Sequence, residues 1–582
     1  MSQPVAPTPS PQQLKLTPEP APQRAPDLAT VDPERYWLEN VYKGEVRQLT
    51  VRAVIAGMVL GAVMCLSNLY VILKTGWSLG VTITACVLAF ATFSGLRAVG
   101  LVKTEVTALE NNAVGSVASA AGYMTGGGNM AAVPALLMLT GALPSTGWLV
   151  AWFAVVSAMG VFAAIPIKRQ LINVEQLPFP TGTATAETLT ALHGHDESSR
   201  GKARYLTIAG LVGAGALVSF KTGWSMLLGA IFTYGFLAPE MVSRGIIPEV
   251  TYKAINGWAL WTGASVLVSS GLLSFAFQWR SVAKSFKALS GLFGKKDEAE
   301  KDPLADVECP PAWFPLGFLV LGPMVVGLMA YLFQIPWWAG VIALPLSVVM
   351  GVIASRVTGE TDTTPTKALG PVTQLLYGAM LPGNLTANVM SANATGGVGL
   401  HSADLLSSLK TGWLLGANPR KQFIAQLFGV VAGAAVVVPA FNLLVPSADV
   451  LGTEEFPAPS SLVWAGVSKM LVNGVSSLHT SARIGALCGL ALGVALVLLD
   501  RWAPKSAKPF IPSASGLGLA IVIPGASSIS FFIGAAIAEV LRRKKAKLAE
   551  ATVLPVSSGF IAGESLMGIA IAMLKAFGIM PR

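Results

Sequence analysis

Charge is scarce in this chain: Asp, Glu, Lys and Arg make up 12% of its 582 residues, against 53% hydrophobic residues. No soluble multidomain protein has an interior able to hide that much apolar surface, so composition excludes one. Cysteine is nearly absent. Cys65, Cys86, Cys309 and Cys488 show no CxxC spacing and three lie in apolar stretches, which excludes a disulfide framework and reads them as small core residues. No Walker motif occurs, and no lysine-serine pair follows Gly126 to Gly128, so ATP hydrolysis is excluded. HExxH is missing, and the spacing of His401 and Asp404 is not diagnostic of an intramembrane protease. Neither catalytic residues nor a cofactor are therefore expected. Alternating ten-residue strands are lacking, which argues against an outer-membrane barrel, and no ring of filter groups marks a channel. The stretch from Met1 to Asp32, rich in Pro, Gln and Ala, has no apolar core and is neither signal peptide nor span.

What is present is a succession of apolar runs of about 20 residues, each long enough to cross a bilayer as a helix. The expectation is an all-α, polytopic helical membrane protein of about 14–16 membrane segments with broken or re-entrant helices. A net charge of +10 resembles a nucleic-acid signal, but the basic residues sit mainly between apolar runs, where positive-inside orientation explains them. Four regions follow: a disordered cytoplasmic tail over 1–48, a transmembrane half over 49–278, a basic cytoplasmic linker over 279–312, and a second transmembrane half over 313–582. KTGW recurs at Lys74, Lys221 and Lys410, LPFPTGTATAE at Leu177 is echoed by KPFIPSASGLGLA at Lys508, and Asn112–Ser119 is echoed by Asn473–Thr480. These echoes suggest two related halves, parallel or inverted. Pro524-Gly525, in the middle of Phe510 to Leu541, fits a hairpin of two short helices.

Polar groups collect at a few places within this apolar sequence. Asn384, Asn388, Ser391 and Thr395, spaced four, three and four, share one helix face, and Gly396-Gly397 is expected to break that helix before His401, Asp404 and Lys410. Asn112, Ser116, Ser119 and Tyr123 repeat the spacing, beside a smooth stripe of Gly115, Ala118 and Gly122. Lipid penalises such faces, so both should line one cavity and contact substrate; interhelical hydrogen bonding is the plainer alternative. Proton-coupling candidates are the acids in apolar or broken segments, Glu564, Asp404, Glu110 and Glu187, together with His401. A lone carboxylate at membrane depth carries a desolvation cost for its charge, a property a proton carrier uses. His193 and His195 lie beside Asp196 and Glu197, but a polar loop explains HGHDESS better than a metal site.

ENNAVGSVASAAGYM from Glu110, LPFPTGTATAE from Leu177, SADLLSSLKTGW from Ser402, NPRKQFIAQLFG from Asn418 and GFIAGESLMG from Gly559 resemble, in order along the whole chain, the oligopeptide transporter family. The resemblance extends to its yellow-stripe-like metal-chelate carriers and implies a bacterial member in the cell (inner) membrane. It implies a secondary carrier, proton-coupled, for small oligopeptides, or alternatively for metal complexes of peptide-like chelators or siderophores. A homodimer is compatible with it; no nucleic-acid partner is.

Overall fold

The computed structural model describes residues 33–193, 220–277, 304–474 and 480–545, apart from positions 45, 77, 79, 127, 362–363, 365 and 505. Helices dominate, and among the described residues no strand forms beyond one isolated bridge, Leu451 with Phe456. The first half holds α1 (Pro33–Asn40), α2 (Val51–Thr75), α3 (Thr82–Ala98), α4 (Ala108–Gly122), α5 (Asn129–Thr140), α6 (Thr146–Lys168), α7 (Pro180–His193), α8 (Phe220–Ser243) and α9 (Tyr252–Ala276). The second holds α10 (Trp313–Phe333), α11 (Trp337–Thr361), α12 (Thr366–Met380), α13 (Leu385–Leu415), α14 (Pro419–Leu444), α15 (Pro459–Asn473), α16 (Thr480–Trp502), α17 (Ala514–Val522) and α18 (Gly525–Lys544). Eight of the described helices are long and apolar enough to cross a membrane. The protein is a polytopic helical membrane protein.

Short polar residues start these helices. Thr50, Thr107, Asn384, Asn418 and Ser513 each accept a hydrogen bond from the backbone three residues on, satisfying an orphan N–H of the first turn. Glycines in the left-handed region end them, as at Gly76 (φ 71°) and Gly416 (φ 80°). At Gly416 nothing larger fits, because an added methyl would lie 2.0 Å from the Val41 carbonyl oxygen.

The bundle is organised around α13, which is 31 residues long and packs on α4, α5, α6, α7, α11, α12, α14 and α15. Gly396-Gly397 does not break it, contrary to expectation. The pair instead permits a close crossing: a methyl on Gly128 would lie 3.1 Å from the Gly396 carbonyl carbon, and one on Gly397 would lie 2.8 Å from Val156 Cγ1. Interruptions occur elsewhere. Between α4 and α5 the chain turns at Gly126–Gly128, where Asn129 Nδ2 donates to the Met124 carbonyl at 2.8 Å and Asn393 Nδ2 donates to the Gly128 carbonyl at 2.8 Å. Asn393 Oδ1 also accepts from the Trp152 indole at 2.7 Å, so the break has protein partners in place of water.

A second interruption lies between α6 and α7, where a π-turn at Arg169–Val174 leads into Gln176 and Phe179, both with positive φ. LPFPTGTATAE is thus irregular only up to Phe179, since Pro180 suits the first turn of a helix and α7 continues through Glu187. A third interruption falls at Ile523-Pro524. Gly516 packs at Thr222 and Ala520 at Gly229, so α17 runs with α8; Gly525 packs at Tyr234 and Ala535 at Gly223, so α18 runs against it. The two therefore form the expected hairpin.

The echoes fare unevenly. KTGW ends α2 at its first copy, opens α8 at its second and sits inside α13 at its third, so the tetrapeptide marks no common structural position. Asn112 is within α4 whereas Asn473 ends α15, with residues 475–479 outside the described set. Both Pro-Phe elements do precede a short helix, α7 and α17.

The 1–48 tail also needs correction. Pro33–Asn40 is helical and docked: Trp37 stacks on Trp413 with centroids 4.3 Å apart, its indole donates to the Trp413 carbonyl at 2.6 Å, and Glu34 pairs with Arg169 and Asn173. Residues 304–312 of the expected linker join the same face, where Glu308 pairs with Lys168 and its carbonyl accepts from Arg420 at 2.6 Å.

Candidate functional site

A small, partly open pocket lies against the middle of α13. Leu400, Ala403, Asp404 and Ser407 form its α13 wall, faced by Thr82 of α3, Tyr123 at the end of α4, Thr181 of α7, Thr358 of α11 and Thr364 just beyond it. Six hydroxyls and one carboxylate thus converge inside an otherwise apolar bundle.

Asp404 is the acid of this pocket. The Ser119 hydroxyl donates to its Oδ1 and Gln426 Nε2 donates to its Oδ2 at 2.5 Å, while Thr82 and Ser119 pair at 3.1 Å. No cation pairs with it among the described residues, although Lys410 is six positions along the same helix. One turn back along α14, Gln422 Nε2 donates to the Ser408 carbonyl at 2.9 Å and to Ser116 Oγ at 3.3 Å. A polar seam therefore joins α4, α13 and α14 behind the pocket. Nothing in it resembles a metal centre: among the described residues no three His, Cys, Asp or Glu side chains converge.

The OPT oligopeptide transporter model matches residues 48–208 and 205–575. The chain belongs to that family. Relatives cover it nearly end to end. The iron-phytosiderophore transporter yellow stripe 1 of Zea mays is 23% identical over 97% of this chain and 96% of its own length. A Saccharomyces cerevisiae protein named for oligopeptide transport, YGL114W, is 23% identical over 90% of this chain and 96% of its own. An Arabidopsis thaliana protein named as a probable metal-nicotianamine transporter, YSL8, is 22% identical over 75% and 72% respectively. This OPT family member is thus a transporter, not an enzyme.

Within the OPT chain the two polar stripes part company. Ser119 and Tyr123 reach the pocket region, Ser116 joins the seam behind it, and Asn112 is buried nearby with its carbonyl accepting from Ser116 at 3.1 Å. The other stripe zips α13 to α12: Asn388 Nδ2 donates to the Gln374 carbonyl at 2.5 Å and Thr395 pairs with Thr373 at 2.9 Å, with Ser391 buried between them. Asn384 caps the helix. None of these four lines the pocket around Asp404. Around this pocket the stripes therefore differ: the first reaches it, and the second makes interhelical hydrogen bonds with α12.

The remaining acids occupy different settings. Glu110 is held by Arg52, through Nε and Nη2 at 2.6 Å each, and by the Thr50 hydroxyl. Glu187 is on an exposed face of α7, and Glu564 lies outside the described residues. His401 is fully buried against α6, where a methyl on Gly160 would lie 2.9 Å from its Cβ, and neither ring nitrogen has a hydrogen-bond partner among the described residues. Sequence reading missed Gln422 and Gln426, although two glutamines four apart in an apolar helix were a legible signal. It also missed Thr82, Thr358 and Thr364, single threonines with no local pattern, and the fully buried Arg356, which pairs with Glu175 at the α6–α7 break.

Proposed function

We propose that this protein is a proton-coupled symporter of small oligopeptides, with the pocket around Asp404 as substrate site and Asp404 as coupling acid. The observation that carries the reading is the hydrogen bonding of Asp404: Ser119 and Gln426 are neutral donors that tolerate either protonation state. Such a carboxyl takes up or releases a proton without breaking an ion pair. Glu110, clamped by a guanidinium, does not. The pocket's hydroxyls suit the amide groups of a peptide backbone as donors and acceptors.

The names of the relatives favour a second substrate, a metal complexed by a peptide-like chelator. With no cluster of metal ligands among the described residues, recognition of such a complex would fall on the chelator's organic groups. The cytoplasmic side is the one carrying Lys168, Arg169, Arg420 and Lys421, by the positive-inside rule, in a cell (inner) membrane. Sealed proteoliposomes with an imposed inward proton gradient test the function. A labelled tripeptide should accumulate and be displaced by unlabelled tripeptide; accumulation of iron-nicotianamine alone would shift the assignment to the chelate, and accumulation of neither would refute it.

A further inference from the structure

Lys410 is a mostly enclosed side chain for which the coupling role of Asp404 gives no account. Its residue exposure is 6%, and it makes no ion pair or hydrogen bond through its side chain among the described residues. The stem is enclosed while the ammonium has no partner among the described residues, and a cation left unpaired within the bundle is a candidate ligand group. Its position ties it to the pocket. Leu400, Ala403 and Ser407 line the pocket at spacings of three and four, and the next residue on that face of α13, three further on, is Lys410. Its Cβ would lie 3.2 Å from a methyl built on Gly182, and the neighbouring Thr411 hydroxyl donates to the Gly182 carbonyl at 2.8 Å. Gly182 directly follows Thr181, which lines the pocket from α7. Long side chains on a helix lean toward its N-terminus, which for Lys410 is the direction of Ser407.

We infer that Lys410 docks a carboxylate of the transported molecule, so that the pocket selects ligands with a free carboxylate: a peptide C-terminus, or the acid groups of an amino-acid-derived chelator. The inference rests on the pocket around Asp404 being the substrate site. Asp404 does not neutralise the lysine, because its two oxygens are taken by Ser119 and Gln426 and it lies about 9 Å away along the helix axis. A carboxylate supplied by the ligand would complete the missing pair, and an ammonium-carboxylate contact sheltered from water is worth about tenfold in affinity or more.

The test is ligand-dependent thermal stabilisation and uptake by the purified full chain, using trialanine against trialanine amide and iron-nicotianamine against its methyl ester. The wild type should prefer the free acid of at least one pair by about tenfold or more. Lys410→Met should bind acid and amide or ester alike, with ligand-free melting no lower than wild type because no pair is broken, and Lys410→Arg should keep the preference. Which pair shows the effect separates a peptide source from a chelate source. Retention of the acid preference by Lys410→Met would overturn the lysine assignment while leaving the pocket reading standing. Binding unaffected by Tyr123→Phe and Thr181→Val, which remove two of the pocket's hydroxyls, would overturn the pocket reading, and the lysine assignment with it. A wild type that binds neither pair, or binds acid and neutral forms equally, also overturns the inference.

Discussion

Neutralising Glu110 separates a structural acid from a coupling acid. Its side chain is 0% exposed, against 27% for Arg52, and the pair is joined by two contacts of 2.6 Å plus the Thr50 hydroxyl. Removing one partner of a fully buried ion pair costs about 3–5 kcal/mol, because the survivor is left charged and unpaired. Arg52 is better placed than that limiting case. It keeps bonds to Thr104 Oγ1 at 2.8 Å and to the Glu105 carbonyl at 3.0 Å, and it reaches solvent. Glu110→Gln, which retains one acceptor oxygen but turns an NH2 toward the guanidinium, should therefore cost about 2–3 kcal/mol. Thermal unfolding of the purified protein should show a melting temperature a few degrees lower, while the pH dependence of gradient-driven uptake stays that of wild type. Replacing both partners, Arg52→Met with Glu110→Leu, should recover most of the loss, since well-packed apolar pairs substitute for buried ion pairs. A Glu110→Gln protein that melts like wild type yet no longer accumulates substrate would refute the reasoning and move the coupling role to Glu110.

Three other consequences are measurable. Trp37→Ala should lose about 3 kcal/mol, the usual cost of truncating a buried Trp, and should expose the chain around α1 to limited proteolysis, because the stack on Trp413 holds that helix down. Gly128→Ala should destabilise by about 1–3 kcal/mol in thermal unfolding, since the added methyl lands 3.1 Å from the backbone of Gly396 and Gly397, which must shift to admit it. Asn393→Ala should cost about 1–3 kcal/mol for each group it strands, among them the Trp152 indole and the Gly128 carbonyl, and a shift in Trp fluorescence should accompany the loss.

The membrane class was legible because it depends on composition and run length, which a one-dimensional reading measures directly. The helix start at Asn418 is likewise a local matter, depending on one polar side chain and the three residues after it. Gly396-Gly397 shows where local reading fails. A glycine pair is compatible with a break and with a close helix crossing, and the choice is made by Gly128, more than 260 residues away in sequence. The matching four-three-four stripes diverge for the same reason. Spacing shows that polar groups share a face; whether that face meets a cavity or a hydrogen-bonding neighbour was decided by Thr373 and Gln374 in one case and by Asp404 in the other. Asp404 itself was visible as an intramembrane acid. Its neutral partners were not, because Ser119 and Gln426 lie on two other helices.

The claim on which the account depends most is that Asp404 couples substrate to protons, and gradient-driven uptake into proteoliposomes measures it. One proton moving down a gradient of one pH unit supplies about 1.4 kcal/mol, enough for about tenfold accumulation at one proton per substrate. Asp404→Asn keeps an acceptor for Ser119 and, because Gln426 Oε1 is otherwise unpartnered, lets the Gln426 amide turn over to accept from the new NH2. The fold should therefore persist. Labelled tripeptide or iron-nicotianamine, whichever the wild type takes up, should still exchange across the membrane, but its inside-to-outside ratio under the gradient should fall from about ten to about one. An Asp404→Asn protein that still accumulates substrate about tenfold, with the wild-type pH dependence, would contradict the account.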